Sequence, residues 1–425
     1  MAIVNTVNFA FPGGSAPFNV TVTDSNGPGV SPTAIIVLAS GHSTLSSYGQ
    51  KASGAQISFG LYDFTTYRVV GGSMEDAASS SSADTAYRND TATVVQLPAS
   101  SSSSLSLEAT VTSVGANSVT LTADAANTYH GAVIFIYGAG VHAAVETLTG
   151  ASSIGGTVSS TALGRTPDVV IAASVAQSIA ADSGGNEYML SLGWAARHSS
   201  TQGCMVSVAE HQASPKTSVG SIAYNNRVAA RLTNSPAENA QLELTSWNSD
   251  GFTLTTRNTA ASLDIIAISI SGVKAAVANE TIAAGTSGSK SITSPGFRAQ
   301  TVLALTIRNT AFSNLSNTNN TFSIGCGNTH AQSVMAVWSQ DNLSTSVTDS
   351  VAGNAAIIRP PTNGGVTAFD WVATWNGATA NGFDIDVTTA AGGNRVVTFL
   401  VFGLPKSHPY IPEVWRQQRR RLVRM

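Results

Sequence analysis

Charged residues are scarce in this sequence. Only 11% of its 425 residues are Asp, Glu, Lys or Arg, about half the share of an average soluble protein. Hydrophobic residues still make up 43%, so the low charge does not indicate a disordered chain. A hydrolase acting on polysaccharide would need clustered carboxylates, and 24 acidic residues spread along the chain do not suggest such a cleft. We therefore expect no enzymatic activity.

Cysteines and long apolar segments are also lacking. The two cysteines, Cys204 and Cys326, are too few for a disulfide framework. No run of about eighteen apolar residues occurs, which argues against membrane insertion. The sequence starts Met-Ala-Ile-Val-Asn, with no basic region followed by an apolar run, so we expect no signal peptide and synthesis in a cytoplasm.

Three short segments repeat along the chain. Residues 57–60, 190–193 and 322–325 each read apolar–Ser–apolar–Gly, and their glycines are 133 and 132 residues apart. We call these segments the tetrads. Residues 119–122, 252–255 and 383–386 alternate between apolar and polar side chains, and each lies 19 or 20 residues before a closing glycine at 138, 272 or 403. Such constant spacing indicates three copies of one unit.

Each copy has the composition and patterning of β-structure. Ser, Thr, Asn, Val and Gly are common, and all are poor helix formers. Alternating segments predict strands with one buried face, whereas the apolar closing segments predict strands covered on both sides. Residues 75–90 are predicted to be a loop. The fold class is therefore all-β, with three tandem antiparallel β-sandwich (jelly-roll-like) domains at residues 1–141, 142–273 and 274–404, and a basic tail at 405–425.

Patterns for catalysis, cofactors and metals have structural explanations. Residues 150–157 resemble a phosphate-binding loop, but Gly156 stands where that loop needs lysine. Asp384 and Asp386 share a predicted strand face, yet the other copies carry threonine there. Seven histidines show no metal-ligand spacing, and no Gly-x-Ser-x-Gly motif occurs. We predict no catalytic residue, no cofactor and no metal site.

The basic tail is a candidate docking segment. Residues 405–425 hold six basic residues against one acidic residue, while the rest of the chain is acidic. The tail could dock on an acidic neighbour, remain an idle solvated end, or contact nucleic acid, although the acidic body argues against a broad nucleic-acid surface. The candidate docking residues are Trp415, Arg416, Arg419, Arg420, Arg421, Leu422 and Arg424.

Aromatic residues give one further candidate surface. Most lie in predicted strands, where core packing is the usual role. Tyr62, Phe64 and Tyr67 lie in a segment that reads as a loop, so they are the candidate surface contact, with host glycan as the ligand.

The C-terminal part of each copy resembles the repeated β-domains of tailed-bacteriophage virion proteins. The residues that carry the resemblance are 250–256 with 264–272, and 381–387 with 395–403; copy 1 has Ser118-Val119 in place of Gly-Phe. The resemblance implies a virion structural protein that binds other virion proteins and copies of itself. A tail or tail-appendage component, with host-surface contact as an option, is favoured over a head-decoration or spike protein. A carbohydrate-binding adhesin is the other alternative.

Overall fold

The computed structural model describes residues 2–403 apart from 24–26, 43–54, 75–83, 90–92, 100–104, 125–127, 177–187, 211–217, 234–236, 260–261, 317–319, 341–346 and 363–368. In the described part the regular elements are 29 β-strands. All pairings between these strands are antiparallel. The predicted all-β class with antiparallel, sandwich-like sheets is confirmed.

The first ten strands, which we call unit 1, form a six-stranded and a four-stranded sheet. The large sheet has the order β1-β10-β3-β4-β5-β6 and the small sheet the order β2-β9-β8-β7. The strands are β1 (Ile3–Phe11), β2 (Phe18–Thr21), β3 (Ala34–Ser40), β4 (Ala55–Tyr62), β5 (Tyr67–Met74), β6 (Asp84–Asn89), β7 (Val95–Pro98), β8 (Leu105–Gly115), β9 (Ser118–Ala123) and β10 (Tyr129–Tyr137).

The next ten strands, unit 2, repeat this arrangement. The large sheet has the order β11-β20-β13-β14-β15-β16 and the small sheet the order β12-β19-β18-β17. The strands are β11 (His142–Thr149), β12 (Thr157–Ser160), β13 (Val169–Val175), β14 (Tyr188–Ala196), β15 (Thr201–Glu210), β16 (Ser218–Tyr224), β17 (Ala229–Leu232), β18 (Glu238–Trp247), β19 (Phe252–Thr259) and β20 (Asp264–Ser271).

The last nine strands, unit 3, have the same large sheet and a small sheet with one strand fewer. The orders are β21-β29-β23-β24-β25-β26 and β22-β28-β27. An isolated bridge between Ile358 and Ala373 lies where the fourth strand would be. The strands are β21 (Lys274–Ile282), β22 (Gly288–Ile292), β23 (Ala299–Ile307), β24 (Asn320–Gly327), β25 (Gln332–Ser339), β26 (Thr348–Gly353), β27 (Val372–Ala378), β28 (Phe383–Thr389) and β29 (Arg395–Gly403).

The tetrad glycines lie where a second backbone segment of the same unit packs directly against the large sheet. A Cβ on any of them would overlap the carbonyl oxygen of a residue on the facing segment. Only glycine can occupy a strand position that another backbone approaches so closely. The glycine–carbonyl pairs are Gly60 with Val94, Gly193 with Val228, and Gly325 with Ile357.

The tetrad serines hold the same facing segments by hydrogen bonds. Each serine Oγ accepts a hydrogen bond from a backbone N–H of the facing segment. The donor residue lies two positions after the residue whose carbonyl oxygen is close to the tetrad glycine. The bonds run from Gln96 to Ser58 at 3.1 Å, from Ala230 to Ser191 at 3.1 Å, and from Arg359 to Ser323 at 3.5 Å. The tetrad is therefore the point at which the small sheet docks on the large sheet.

Each unit has a core between its own sheets, and a further core joins all three units. Alternate residues of one strand belong to different cores: in β10, Val133 and Phe135 pack inside unit 1, whereas Ile134 and Ile136 pack outward. The outward cluster also contains residues of units 2 and 3, among them Trp194 and Leu303. Both faces of each large sheet are thus buried, which explains why their strands are apolar on both faces. We call this outward cluster the shared core.

Candidate interface and binding cleft

The three large sheets contact one another in a closed ring. The fifth strand of each unit lies against the third and fourth strands of the next: β5 against β13 and β14, β15 against β23 and β24, and β25 against β3 and β4. Each contact is head to tail and uses the same surfaces, and the third contact returns to unit 1. A head-to-tail contact that closes after three steps has threefold rotational character. The chain is therefore a pseudo-threefold ring of covalently linked units.

We call the three junctions between units seams. Among the described residues, buried hydrogen bonds cross the unit 2–unit 3 seam and the unit 3–unit 1 seam. At the unit 2–unit 3 seam the Trp194 indole N–H donates to Thr398 Oγ1 at 3.1 Å. At the unit 3–unit 1 seam the Thr301 hydroxyl donates to the Val4 carbonyl at 2.7 Å. Because these groups are buried, loss of either partner would leave the other without a hydrogen bond.

The three aromatic residues predicted as a surface contact lie at the turn between β4 and β5. Tyr62 and Tyr67 are stacked with ring centroids 3.9 Å apart, and Phe64 meets Tyr62 edge to face. The Tyr67 hydroxyl donates to the Val111 carbonyl. Tyr62 is 7% exposed, and its burial raises the pKa of its hydroxyl. The rings pack on the core of unit 1, although Phe64 and Tyr67 remain half-buried. Their contact with a ligand stays a prediction.

Asp63, in the same turn, ties unit 1 to unit 2. Its Oδ1 accepts the backbone N–H groups of Thr65 at 2.9 Å and Thr66 at 2.7 Å, the geometry of an Asx turn. Its Oδ2 accepts the backbone N–H of Val145 in β11 at 2.7 Å. One carboxylate thus stabilises the turn and also accepts a backbone N–H from the edge strand of the next unit.

Asp63→Asn is expected to destabilise the protein by about 2 kcal/mol, the cost of losing a hydrogen bond to a charged acceptor. An amide has only one oxygen, so it can hold either the turn or the Val145 N–H. The free energy of unfolding in urea measures the loss. Thr65→Ala is the control, since it removes only the exposed hydroxyl contact to Asp63 and should cost well under half as much. Equal losses in the two variants would contradict the role given to Oδ2.

Unit 3 contains the same turn with different side chains. Asn328 Oδ1 accepts the backbone N–H groups of His330 at 2.8 Å and Ala331 at 2.9 Å, as Asp63 does in unit 1. The second carboxylate oxygen is replaced by an amide nitrogen, which cannot accept a strand N–H. Three smaller residues take the positions of the three aromatic residues. They are Gly327, Thr329 and Gln332 in place of Tyr62, Phe64 and Tyr67.

A cleft of about 400 Å³ lies at this turn, on the seam between unit 3 and unit 1. Unit 3 lines it with residues 328–332, with Asn354 and with residues 375–377, and unit 1 contributes Asn8. The Asn8 amide N–H donates to the Gln332 carbonyl at 2.7 Å, while Asn8 Oδ1 is buried with no hydrogen-bond partner.

The Gln332 side chain fixes the wall of the cleft. Its Oε1 accepts the backbone N–H of Trp375 at 2.7 Å, and its Nε2 donates to the carbonyl of the same residue at 3.5 Å. Gln202 makes the same pair of bonds to Leu244 in unit 2. The indole N–H of Trp375 is buried without an acceptor, and its ring stacks on Phe383.

The remaining predicted positions form no site in the described part of the chain. Asp384 accepts a hydrogen bond from the Ser291 hydroxyl on the neighbouring strand, and residues 150–156 form the turn between β11 and β12. No group of His, Cys, Asp or Glu that could hold a metal ion occurs among the described residues. Cys204 and Cys326 are free and buried, and burial raises the pKa of the Cys326 thiol to about 12.

The docking tail lies outside the described residues, including Trp415, Arg416, Arg419, Arg420, Arg421, Leu422 and Arg424. Its role stays a prediction. In the part of the chain that the structure describes, no helix has the length and apolar character needed to cross a membrane.

Sequence reasoning did not identify the cleft. Eight of its ten lining residues are amides or small side chains, and the other two are His330 and Trp375. The repeated tetrad could have revealed the cleft. When units 1 and 3 are aligned on the tetrad, Tyr67 corresponds to Gln332 and Phe64 to Thr329. Smaller side chains therefore replace these aromatic residues in unit 3.

Comparison with known protein families gives no match, and comparison with curated proteins also gives none.

Proposed function

We propose that this chain is a structural protein of a tailed-bacteriophage particle, in which one polypeptide supplies a building block of threefold character. The observation that carries the proposal is the closed ring of three alike units around the shared core. A chain of this shape can occupy a threefold position as a single copy. Its role is assembly on neighbouring virion proteins and on copies of itself, without catalysis.

Covalent linkage explains why a particle would use such a chain. Three separate subunits must all bind before a threefold position is filled, whereas one chain fills it in a single association step. Linked units can also diverge, so that each seam presents different side chains to a partner. We favour a tail or tail-appendage component at which host contact occurs. A head-decoration or spike protein is the alternative within the same class.

The basic tail supplies the docking contact in this proposal. Its six basic residues carry a charge opposite to that of the acidic body. Arginine forms bidentate hydrogen bonds with carboxylates, and a tryptophan with flanking aliphatic residues can anchor such an arm. The acidic body of a neighbouring copy is one surface that such an arm would fit.

Localisation on assembled particles tests the proposal. Antibodies against the chain should label purified phage particles in electron micrographs at the tail, and the protein should sediment with the particles. Label on the head would select the decoration alternative. A protein that stays in the soluble fraction of a lysate while particles form normally would contradict the virion assignment.

Removing residues 405–425 tests the docking arm separately. We expect the truncated protein to fold with an unchanged melting temperature and to be missing from particles. The matched control replaces the six basic residues of the tail with glutamine and keeps its length, and it should also fail to incorporate. Normal incorporation of the truncated chain would contradict the docking role.

A further inference from the structure

We propose that the cleft between unit 3 and unit 1 is a binding site for an uncharged saccharide. This inference deepens the proposed function by naming a class of surface molecule that the particle would contact. Its biological role rests on the virion assignment, but the binding itself is a property of the purified chain.

The chemistry of the cleft walls selects the ligand. The ten lining residues comprise four asparagines, a glutamine, a threonine and a histidine, with no Asp, Glu, Lys or Arg. A site for an anion would carry arginine or lysine, and a cation site would carry carboxylates. An amide presents a donor and an acceptor side by side, which matches two neighbouring hydroxyl groups of a sugar. The volume lies within the range of small-molecule sites.

Asn8 lines the cleft from the side of unit 1 and carries one polar atom without a partner. Its Oδ1 is buried and has no hydrogen-bond partner, although its amide nitrogen is held by the Gln332 carbonyl. A buried acceptor without a donor is destabilising. A ligand hydroxyl that donates to Asn8 Oδ1 would remove this cost, and it would need a rotation of the Asn8 side chain, because this oxygen is shielded from solvent in the free protein.

Side chains of unit 1 bridge the unit 1–unit 2 seam at the corresponding place. The Asp63 carboxylate bonds to Val145, and the Arg68 guanidinium donates to Thr147 at 2.6 Å, so side chains of unit 1 reach β11 directly. The stacked pair Tyr62 and Tyr67 packs on the core of unit 1 at the same turn. In unit 3 the corresponding turn has Gly327, Thr329 and Gln332 at the three aromatic positions, and its one ring is the His330 imidazole.

Other contacts bridge the unit 2–unit 3 seam. Ser199 Oγ accepts the Val277 backbone N–H at 3.0 Å, and Asn279 donates to the Gln202 carbonyl at 2.9 Å, the counterpart of the Asn8 bond. Asn279 Oδ1 also lacks a partner, but it lies so close to Gly203 that a Cβ there would overlap it. The His198 ring packs on Phe297 at the same seam. We therefore expect one saccharide per chain.

Two variants test the site in the full-length protein. Asn376→Ala removes an exposed lining amide whose one described side-chain bond is a 3.4 Å contact to Ser289. Ala331→Trp fills the cleft and keeps every amide. Thr112→Ala is the matched control, because Thr112 holds the position of Asn376 in unit 1, away from the cleft. Melting temperatures establish that all three variants are folded.

The probes are an array of neutral and acidic bacterial glycans, followed by calorimetric titration with the free neutral oligosaccharide that gives the strongest signal. We expect one site per chain, a three- to ten-fold weaker affinity for Asn376→Ala, about the value of one hydrogen bond, and no detectable binding for Ala331→Trp. Thr112→Ala should bind as the unmodified protein does.

Three results would overturn the inference: no neutral glycan binding by the unmodified protein, selective binding of acidic glycans, or neutral glycan binding that Ala331→Trp leaves unchanged. If Ala331→Trp does not fold, the affinity of Asn376→Ala decides alone, and an affinity equal to that of Thr112→Ala rejects the site. Particle labelling is independent of these results. A chain that labels phage particles but binds no glycan keeps the proposed function and loses only the site.

Discussion

Gly193→Ala is expected to lower the free energy of unfolding by about 3 kcal/mol, at the upper end of the usual cost of overpacking. The added Cβ would overlap the Val228 carbonyl and also the Cys204 side chain and the Gly203 carbonyl. Two of these contacts are backbone atoms, which cannot rotate away. Relief would require the segment before β17 to move off the large sheet, which would also break the bond from Ala230 to Ser191. Denaturant unfolding followed by tryptophan fluorescence measures the loss.

Gly392→Ala is the control for the tetrad glycine. Its Cβ would meet no atom within 4 Å, and its φ lies outside the positive range. Alanine there should be neutral or stabilise the protein by about 0.5 kcal/mol, because it restricts the unfolded chain. Similar losses in the two variants would mean that the tetrad glycine is not a contact point between sheets.

The tetrads show why much of the fold could be predicted. Their serine and glycine make contacts that each unit needs for its two sheets to dock, so the pair is present in all three copies at nearly constant spacing. Strand predictions for residues 18–22, 34–38 and 119–122 correspond to β2, β3 and β9. Short-range patterning was sufficient there because one face of each strand is buried and the strands are bounded by turns.

The prediction of a loop over residues 75–90 was wrong in part, because β6 covers Asp84–Asn89. This strand lies at the edge of the large sheet and pairs with β5 over six residues. Its sequence, Asp-Thr-Ala-Tyr-Arg-Asn, has no alternation of apolar and polar residues. Tertiary pairing determines such a strand, and propensity cannot reveal it.

The shared core could be anticipated only in part. Continuous apolar runs such as residues 132–137 predict strands covered on both sides. The pattern does not say what covers the second face, and the units were expected to fold each on its own core. The cover is the large sheet of another unit. The cleft lies at the seam where the turn of unit 3 has neither the stacked tyrosines of unit 1 nor the contact from Ser199 to Val277 that unit 2 makes.

Trp194→Ala is expected to cost about 4 kcal/mol, as truncation of a buried tryptophan does. Its side chain is fully buried in the shared core, and its indole N–H bonds to Thr398 of unit 3. The substitution opens a cavity between two units and leaves a buried hydroxyl without its donor. We therefore expect hydrogen exchange to accelerate in β23 and β29 of unit 3 as well as in β14 of unit 2.

Phe252→Ala is the matched control for this coupling. Phe252 is as fully buried as Trp194 and belongs to the same unit, but it packs in the core between the sheets of unit 2. Its loss should destabilise unit 2 by about 3 kcal/mol and leave the exchange of β29 less affected than Trp194→Ala does. Hydrogen exchange read by mass spectrometry on peptides of each unit separates the two cases. If Trp194→Ala accelerated exchange in unit 2 alone, the units would be stabilised separately, and the ring would be three sandwiches in contact without a common core.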